Sequence, residues 1–212
     1  MRNIILLLLF GYLCGNFSTG VLVGKIEHVD LRTQGSGNIG ATNATRIIGF
    51  LKGGLPTMLG DILKAVIPVL IVKYLWFPGL PGESNGFGST EFYELITGLG
   101  VVLGHDFPFW MKFKGGKGIA STGGLILVFS LPMAGILMAI MIVIIGVTRF
   151  VSLASITAAF LFPVLTAFFF RGKWVLVLVA ACYTVLAWWR HKENIVRLLH
   201  GTENKFGRRP TH

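Results

Sequence analysis

Three polar segments, two of them glycine-rich, interrupt an otherwise apolar chain of 212 residues. The first reads GSGNIGATN from Gly35 to Asn43 and is followed by Arg46. A loop of exposed backbone amides that opens a short helix is suited to anion binding, and Arg46 could hold a phosphate through two parallel hydrogen bonds. The letters also match GxGxxG, but a dinucleotide-binding motif needs a preceding strand, and apolar helices flank this segment. From the residues alone, a flexible turn with a basic anchor is an equally good interpretation.

The second segment reads FKGGKG from Phe113 to Gly118 and follows the motif GHDFP, which begins at Gly104. It lacks the earlier glycine and the Ser or Thr of a P-loop. It still places Lys117 among free amides at the start of an apolar helix, where the helix dipole favours anions. Lys112 and Lys114 are more simply interpreted as interfacial anchors, whereas the glycines on both sides of Lys117 indicate a function.

The third segment, RHKENIVRLL from Arg190 to Leu199, begins where the last apolar run ends. At helical spacing His191 and Asn194 share a face, and Glu193 stands four residues before Arg197, where opposite charges can pair. Taken by itself, the segment is better explained as an amphipathic helix at a membrane interface.

The composition shows what must position these segments. Of the residues, 53% are hydrophobic and 13% are charged, with a mean hydropathy of +0.73. A soluble domain has about a quarter charged residues. The net charge of +10 could suggest a nucleic-acid partner, but no soluble segment is long enough to form a basic face. We therefore expect a membrane protein that binds no nucleic acid.

Seven apolar runs are candidate membrane spans, and together they predict an all-α polytopic bundle that forms a single domain over residues 1–212. A helix needs about 20 residues to cross the hydrocarbon. The fourth run is short, so the fourth and fifth runs either both cross or form a re-entrant pair, which leaves five spans and a hairpin as the alternative. The runs are Ile4–Gly24, Pro56–Phe77, Phe92–Met111, Ile119–Leu131, Pro132–Val147, Val151–Phe170 and Trp174–Trp189.

The distribution of basic residues predicts the orientation. With the N-terminus outside, 14 of the 19 Lys and Arg residues fall in inner segments, three fall outside and two lie within the second run. The inner count includes Arg208 and Arg209 near the C-terminus. Because cytoplasmic loops carry an excess of Lys and Arg, we expect a cytoplasmic C-terminus and a cytoplasmic location for all three polar segments.

Long motifs in a fixed order resemble those of the bacterial acyl-phosphate-dependent glycerol-3-phosphate acyltransferases. The likeness rests on GSGNIGATN with Arg46, on GHDFP with FKGGKG, on SLASI from Ser152, and on HKENIVRL followed by GTE from Gly201. It runs from about residue 10 to 206. It implies an α-helical enzyme of the bacterial inner membrane, with seven spans and a cytoplasmic active site. The implied reaction transfers a fatty acyl group from acyl phosphate to glycerol 3-phosphate, giving lysophosphatidic acid.

The resemblance also implies roles for individual residues. We expect catalytic residues at Ser36, Lys117, His191 and Asn194. We expect substrate-binding residues at Gly37, Asn38, Thr42, Asn43, Arg46, His105, Gly115, Gly116 and Gly118. The implied partners are acyl phosphate, glycerol 3-phosphate and membrane lipid, with functional coupling to the enzyme that makes acyl phosphate. No carboxylates and histidines stand at metal-ligand spacing, so neither a metal nor another cofactor is expected.

Three groups could take the proton that the attacking hydroxyl must lose. His191 has a suitable ordinary pKa, about 6.5, but nearby lysines and arginines would lower it. His105 could instead be a buried, hydrogen-bonded histidine. A phosphate oxygen of the substrate, with a second pKa of about 6, is the third candidate. We expect the substrate phosphate to be the base and His191 and Asn194 to position the substrate.

The alternative function is a transporter or channel for a phosphorylated or other anionic solute. Such a protein would need ionisable residues near the bilayer midplane and some internal repeat. We find no repeat, and Asp61 and Lys64 are expected near the inner end of the second run, at pairing distance. An acyltransferase that uses thioester donors would be expected to carry a His-x-x-x-x-Asp motif. None of the five histidines in this chain is followed by Asp five residues later.

The charge count makes a testable prediction about sidedness. Ser36→Cys and Lys117→Cys variants, in a chain without its two native cysteines, should react with a membrane-impermeant thiol reagent only from the cytoplasmic side. Labelling of intact cells and of inverted membrane vesicles measures this. Reaction in intact cells would overturn the orientation.

Overall fold

The computed structural model describes residues 2–207, and every regular element in that range is a helix. The all-α prediction is therefore confirmed, while Arg208 and Arg209 lie outside the described residues. The helices are α1 Arg2–Gly15, α2 Thr19–Ile26, α3 Ala41–Ile47, α4 Leu55–Ile71, α5 Thr90–Asp106, α6 Ile119–Phe129, α7 Leu131–Thr148, α8 Val151–Phe169, α9 Trp174–Arg190 and α10 Lys192–Leu199. Single π-helical turns, Phe50–Gly54 and Val72–Trp76, extend α4 at both ends.

The helices differ in their capacity to cross a membrane. Within residues 2–207, four stretches are long and apolar enough: Arg2–Ile26, Phe50–Trp76, Leu131–Thr148 and Val151–Phe169. The pair α9 and α10, bent by 63°, makes a fifth if it is counted as one span. The 11 residues of α6 extend about 16 Å, which is less than the hydrocarbon thickness of about 30 Å. The count of seven spans stays a prediction.

Hydrogen bonds between distant segments show which helix ends meet. Lys117, just before α6, donates to Asn194 in α10. Arg149, just after α7, donates through Nη2 to the carbonyl oxygen of Phe206 at 2.9 Å. The chain therefore enters α6 and leaves α7 at the same end of the bundle, so α6 and α7 form an antiparallel hairpin. We call this end, which carries residues 107–118 and 190–207, the site end.

The loop over residues 78–90 packs at the opposite end of the bundle. The carbonyl oxygen of Asn85 accepts a hydrogen bond from the amide of Val175 at 3.1 Å, at the start of α9. Lys173 and Glu91 pair across the same region at 3.4 Å. Residues 78–90 and the α8–α9 connection thus lie together, away from the site end.

Helix α5 packs closely against α1 through small residues on both helices. A Cβ atom added at Gly100 or Gly104 would collide with backbone atoms of α1, as would one at Gly11 or Gly15 with α5. Such contacts let membrane helices approach backbone to backbone. Because α5 also packs against α4, α6 and α9, its last turn holds the GHDFP motif firmly at the site end.

The predicted pairing of Asp61 and Lys64 is confirmed, while their place relative to the membrane stays a prediction. The ammonium of Lys64 lies 3.0 Å from Oδ1 of Asp61, and both side chains are buried. Helical backbone begins at Phe50 rather than at the predicted Pro56. The pair therefore lies in the middle third of the Phe50–Trp76 stretch, and Lys64 reaches His105 in the last turn of α5.

Candidate active site

A hydrogen-bonded network at the site end is centred on Glu203, which follows α10. Its Oε1 accepts from Nδ2 of Asn194 at 2.8 Å and from Oγ of Ser152 at 3.0 Å, and its Oε2 accepts from Nε of Arg197 at 2.8 Å. The ammonium of Lys117 donates to Oδ1 of Asn194. One carboxylate thus joins α8, α10 and the segment before α6.

The partner of Arg197 differs from the sequence prediction. Arg197 pairs with Glu203 at 2.8 Å and not with Glu193, which is exposed. Gly201, with φ of +69°, takes the left-handed conformation that ends many helices. The turn brings Glu203 back alongside α10. Its carboxylate therefore pairs with Arg197 in place of Glu193, which stands four residues before Arg197 in the helix.

Lys117 and His191 have shifted pKa values because of their surroundings. Burial, followed by the charge of Arg197, lowers the pKa of Lys117 to about 8. Burial, followed by the charge of Lys117, lowers the pKa of His191 to about 4. Basic neighbours lower the pKa of His191 as expected, but burial lowers it more. At neutral pH Lys117 is charged and His191 is not.

One ring nitrogen of His191 is already engaged. Nδ1 lies 2.8 Å from the carbonyl oxygen of Ala187, and a carbonyl can only accept. In the neutral ring Nδ1 therefore carries the proton, and Nε2 keeps an unshared electron pair. His191 can accept one hydrogen bond from a hydroxyl or an ammonium group.

The glycine segment before α6 has fewer free amides than the sequence predicts. The amides of Gly115 and Gly116 donate to the carbonyl oxygens of Asp106 and His105, each at 3.0 Å. No hydrogen bond among residues 2–207 uses the amides of Lys117 or Gly118. An anion at this segment would thus meet the Lys117 ammonium and the amides that follow Gly116.

Arg190, at the end of α9, holds the glycine segment from the other side. Its Nη2 donates to the carbonyl oxygens of Gly115 and Gly116 at 3.0 and 2.7 Å, and its guanidinium lies over the ring of Phe107. Sequence reasoning counted Arg190 only as an inner basic residue. Its spacing from the GHDFP motif, more than 80 residues along the chain, gives no sign of this contact.

Asn43 organises the first glycine-rich loop. Its Oδ1 accepts from the amide of Ser36 at 3.0 Å, and its Nδ2 lies 2.9 to 3.1 Å from the carbonyl oxygens of Asn38, Leu31 and Gln34. The side chain is 2% exposed. Its hydrogen-bonding capacity is used within the loop, so Asn43 holds the loop in shape, whereas the sequence analysis placed it among the substrate contacts.

Ser36 and Arg46 remain available on this loop. Ser36 is exposed, and the nearest hydrogen-bond partner of the Arg46 guanidinium is Oδ1 of Asn43 at 3.5 Å. The other proposed contacts also lie on the loop or its helix: Gly37 is exposed, Asn38 accepts from the amide of Gly40, and Thr42 is half-buried in the first turn of α3.

The first loop precedes α4, and α4 runs parallel to α6. Gly124 in the middle of α6 packs against Ile62 and Ala65 in α4, and Lys73, later in α4, donates to the carbonyl oxygen of Val128 near the end of α6. The loop therefore lies at the site end too. No hydrogen bond or ion pair among the described residues connects Arg46 with Lys117.

Asp106, within the GHDFP motif, is fully buried and faces Gly118. Neither of its carboxylate oxygens has a hydrogen-bond partner in the described part of the chain. No group of three or more His, Cys, Asp or Glu within residues 2–207 could hold a metal ion.

Comparisons with known proteins agree over nearly the whole chain. A family model described as glycerol-3-phosphate acyltransferase matches residues 5–201. The glycerol-3-phosphate acyltransferase of Geotalea daltonii is 40% identical and covers 98% of this chain and 100% of that protein. The enzyme of that name from Lactiplantibacillus plantarum is 39% identical, over 95% of this chain and 91% of its own.

Two solved structures of PlsY (YgiH), an integral membrane glycerol 3-phosphate acyltransferase, are similar to this chain. The glycerol 3-phosphate form has a TM-score of 0.82 and 37% identity, with 96% of each chain covered. The lysophosphatidic acid form has a TM-score of 0.80 and 36% identity, with 96% of this chain and 95% of that chain covered.

The Glu203 network predicts a difference between two glutamates of the same segment. Glu203→Gln removes the charge that holds Arg197 and supplies only one acceptor where the carboxylate has two. We expect a loss of about 1.5–3 kcal/mol of stability. The matched control, Glu193→Gln, changes an exposed residue and should stay within about 0.5 kcal/mol of the native chain. Thermal unfolding in detergent measures both, and equal stability of the two variants would contradict the role given to Glu203.

Proposed function

The chain belongs to the glycerol-3-phosphate acyltransferase family, and we propose that it transfers a fatty acyl group from acyl phosphate to glycerol 3-phosphate. The products are lysophosphatidic acid and phosphate. Relatives solved in the glycerol 3-phosphate and lysophosphatidic acid forms support the acceptor and the product. An anion transporter is not favoured, because the relatives that match nearly the whole chain are named acyltransferases.

One observation supports acyl phosphate as the donor. Two separate cationic, glycine-rich segments, around Arg46 and around Lys117, lie at the same end of the bundle. Two anion-binding segments suit two phosphate-bearing substrates better than one phosphate and a thioester. The cations also offset the repulsion between the two phosphates, which is strong where water is partly excluded.

The acceptor fits the Lys117 segment. The Lys117 ammonium and the amides of Lys117 and Gly118 would bind the phosphate of glycerol 3-phosphate. Nε2 of His191 would accept a hydrogen bond from a glycerol hydroxyl and so orient the attacking oxygen. Asn194 acts through Lys117: its two polar atoms are engaged by Lys117 and Glu203, so it positions the ammonium.

The first loop would hold the donor. Arg46 can present paired N–H donors to the phosphate of acyl phosphate, and Ser36 with the exposed backbone at Gly37 lies beside it. The acyl carbonyl would then lie between the two segments. Thr42 and Asn38 form the wall of the same loop.

The reaction needs no covalent enzyme intermediate, because phosphate is a good leaving group. The glycerol oxygen attacks the acyl carbonyl carbon, the bond from that carbon to the phosphate oxygen breaks, and phosphate leaves with the electron pair. The pKa of His191, lowered to about 4 by burial and by Lys117, makes the ring a weak base. We propose that a substrate phosphate oxygen takes the hydroxyl proton.

The proposed setting is the bacterial inner membrane. Seven crossings with the N-terminus outside would put the C-terminus and the site end in the cytoplasm, and the excess of inner Lys and Arg supports this. Acyl phosphate is reactive, so coupling to the enzyme that makes it would favour delivery before hydrolysis.

A competition between acyl donors tests the proposed function. The purified chain receives glycerol 3-phosphate with acyl phosphate, acyl-coenzyme A or acyl carrier protein, each carrying the same acyl group. We expect lysophosphatidic acid from acyl phosphate alone. Turnover of a thioester at a comparable rate would overturn the donor assignment, and no turnover of any donor would overturn the proposed function.

His191→Gln tests the proton assignment. Activity should fall by about one or two orders of magnitude, because positioning is lost. The pH profile should stay that of the native enzyme, since His191 with a pKa of about 4 is neutral throughout the neutral range. In both proteins activity should decline as pH rises through about 8, where Lys117 loses its charge.

His200→Gln is the matched control. This exposed histidine also lies 2.8 Å from the carbonyl oxygen four residues before it, so its replacement should leave activity unchanged. Abolished pH dependence with complete loss of activity in His191→Gln would make His191 the general base.

A further inference from the structure

A buried ion pair lies beneath the glycine segment, between α4 and α5. The ammonium of Lys64 lies 3.0 Å from Oδ1 of Asp61, 2.9 Å from the carbonyl oxygen of Phe17 and 2.7 Å from Nδ1 of His105. The three ionisable residues are only 2 to 8% exposed. Phe17 lies at the break between α1 and α2, so the contact ties three parts of the bundle together.

These contacts determine which nitrogen of His105 carries its proton. An ammonium group has three donors and no acceptor, and Lys64 has three acceptors around it. Nδ1 of His105 must therefore accept, which leaves the proton of the neutral ring on Nε2. Asp61 keeps Lys64 charged, because a buried ammonium without a counter-ion would be costly.

The other edge of the ring is directed at the glycine segment. A Cβ atom added to Gly116 would overlap Nε2 of His105 and lie 2.7 and 2.8 Å from its two neighbouring ring carbons. Both polar groups of Gly116 are engaged, its amide by the backbone of His105 and its carbonyl by Arg190. No hydrogen bond among residues 2–207 uses Nε2 of His105, so this donor has no acceptor within the described part of the chain.

We infer that His105 donates its Nε2–H to the phosphate of glycerol 3-phosphate, and that Asp61 and Lys64 are positioning residues that fix this tautomer. The inference rests on the proposed function and deepens it, since it adds a donor to the phosphate site and two residues behind it. It also excludes His105 as the general base, because a protonated Nε2 cannot accept a proton from the hydroxyl.

The protonation state of each ring nitrogen of His105 can be measured directly, without an activity assay. 15N NMR of the detergent-solubilised chain, labelled in its histidine rings and assigned by comparison with His105→Gln, distinguishes protonated from unprotonated nitrogens. At neutral pH we expect an unprotonated Nδ1 and a protonated Nε2 at His105. A protonated Nδ1 would overturn the inference.

Two substitutions separate donation to substrate from simple support of Lys64. The amide nitrogen of Gln reaches about as far as Nε2, whereas the oxygen of Asn can replace Nδ1 as the acceptor for Lys64. We expect the KM for glycerol 3-phosphate to rise about threefold in His105→Gln and about thirtyfold in His105→Asn, with kcat nearly constant. Thermal unfolding without substrate checks that both variants fold.

The outcomes distinguish the inference from the function on which it rests. If the native chain turns over glycerol 3-phosphate but His105→Asn has the lower KM of the two variants, His105 serves only as a partner for Lys64, and the inference fails. If the native chain does not turn over glycerol 3-phosphate at all, the proposed function fails first, and the NMR result still decides the tautomer.

Discussion

The contacts of the Glu203 carboxylate are the interaction on which the candidate site depends. This one side chain accepts hydrogen bonds from Asn194, Ser152 and Arg197, and through Asn194 it fixes the ammonium of Lys117. A cation at the end of an apolar bundle loses much of its hydration, so its position must be set by protein groups. Without the carboxylate, α10 would lose its attachment to α8, and Lys117 would lose its orientation.

The glycine segment before α6 needs the same support for a different reason. It carries anion-binding groups but no side chains that could pack it in place. The segment is held from both sides. Carbonyl oxygens in the last turn of α5 accept hydrogen bonds from the amides of Gly115 and Gly116, and Arg190 donates to the carbonyl oxygens of the same two glycines. A preorganised loop of this kind costs little reorganisation when a phosphate binds. Arg190 therefore stabilises the loop and adds positive charge near it.

Local and compositional features were predictable from the sequence, and contacts between distant segments were not. Apolar runs gave the helices, and motif order gave Lys117, His191 and Asn194 as neighbours. Glu203 was missed because its partners depend on the turn at Gly201 and on the 63° bend between α9 and α10. Neither hydrophobic periodicity nor charge spacing encodes that geometry.

The two glycine-rich loops lie at one end of the bundle, and the proposed reaction requires them to hold its two phosphates. A crystal structure of this chain with glycerol 3-phosphate and a non-hydrolysable acyl phosphonate tests that claim most directly. We expect the glycerol phosphate within about 3 Å of the Lys117 ammonium, the phosphonate against the Arg46 guanidinium, and the acyl carbonyl between them. Glycerol 3-phosphate bound away from Lys117, or both ligands held by one loop alone, would contradict the account.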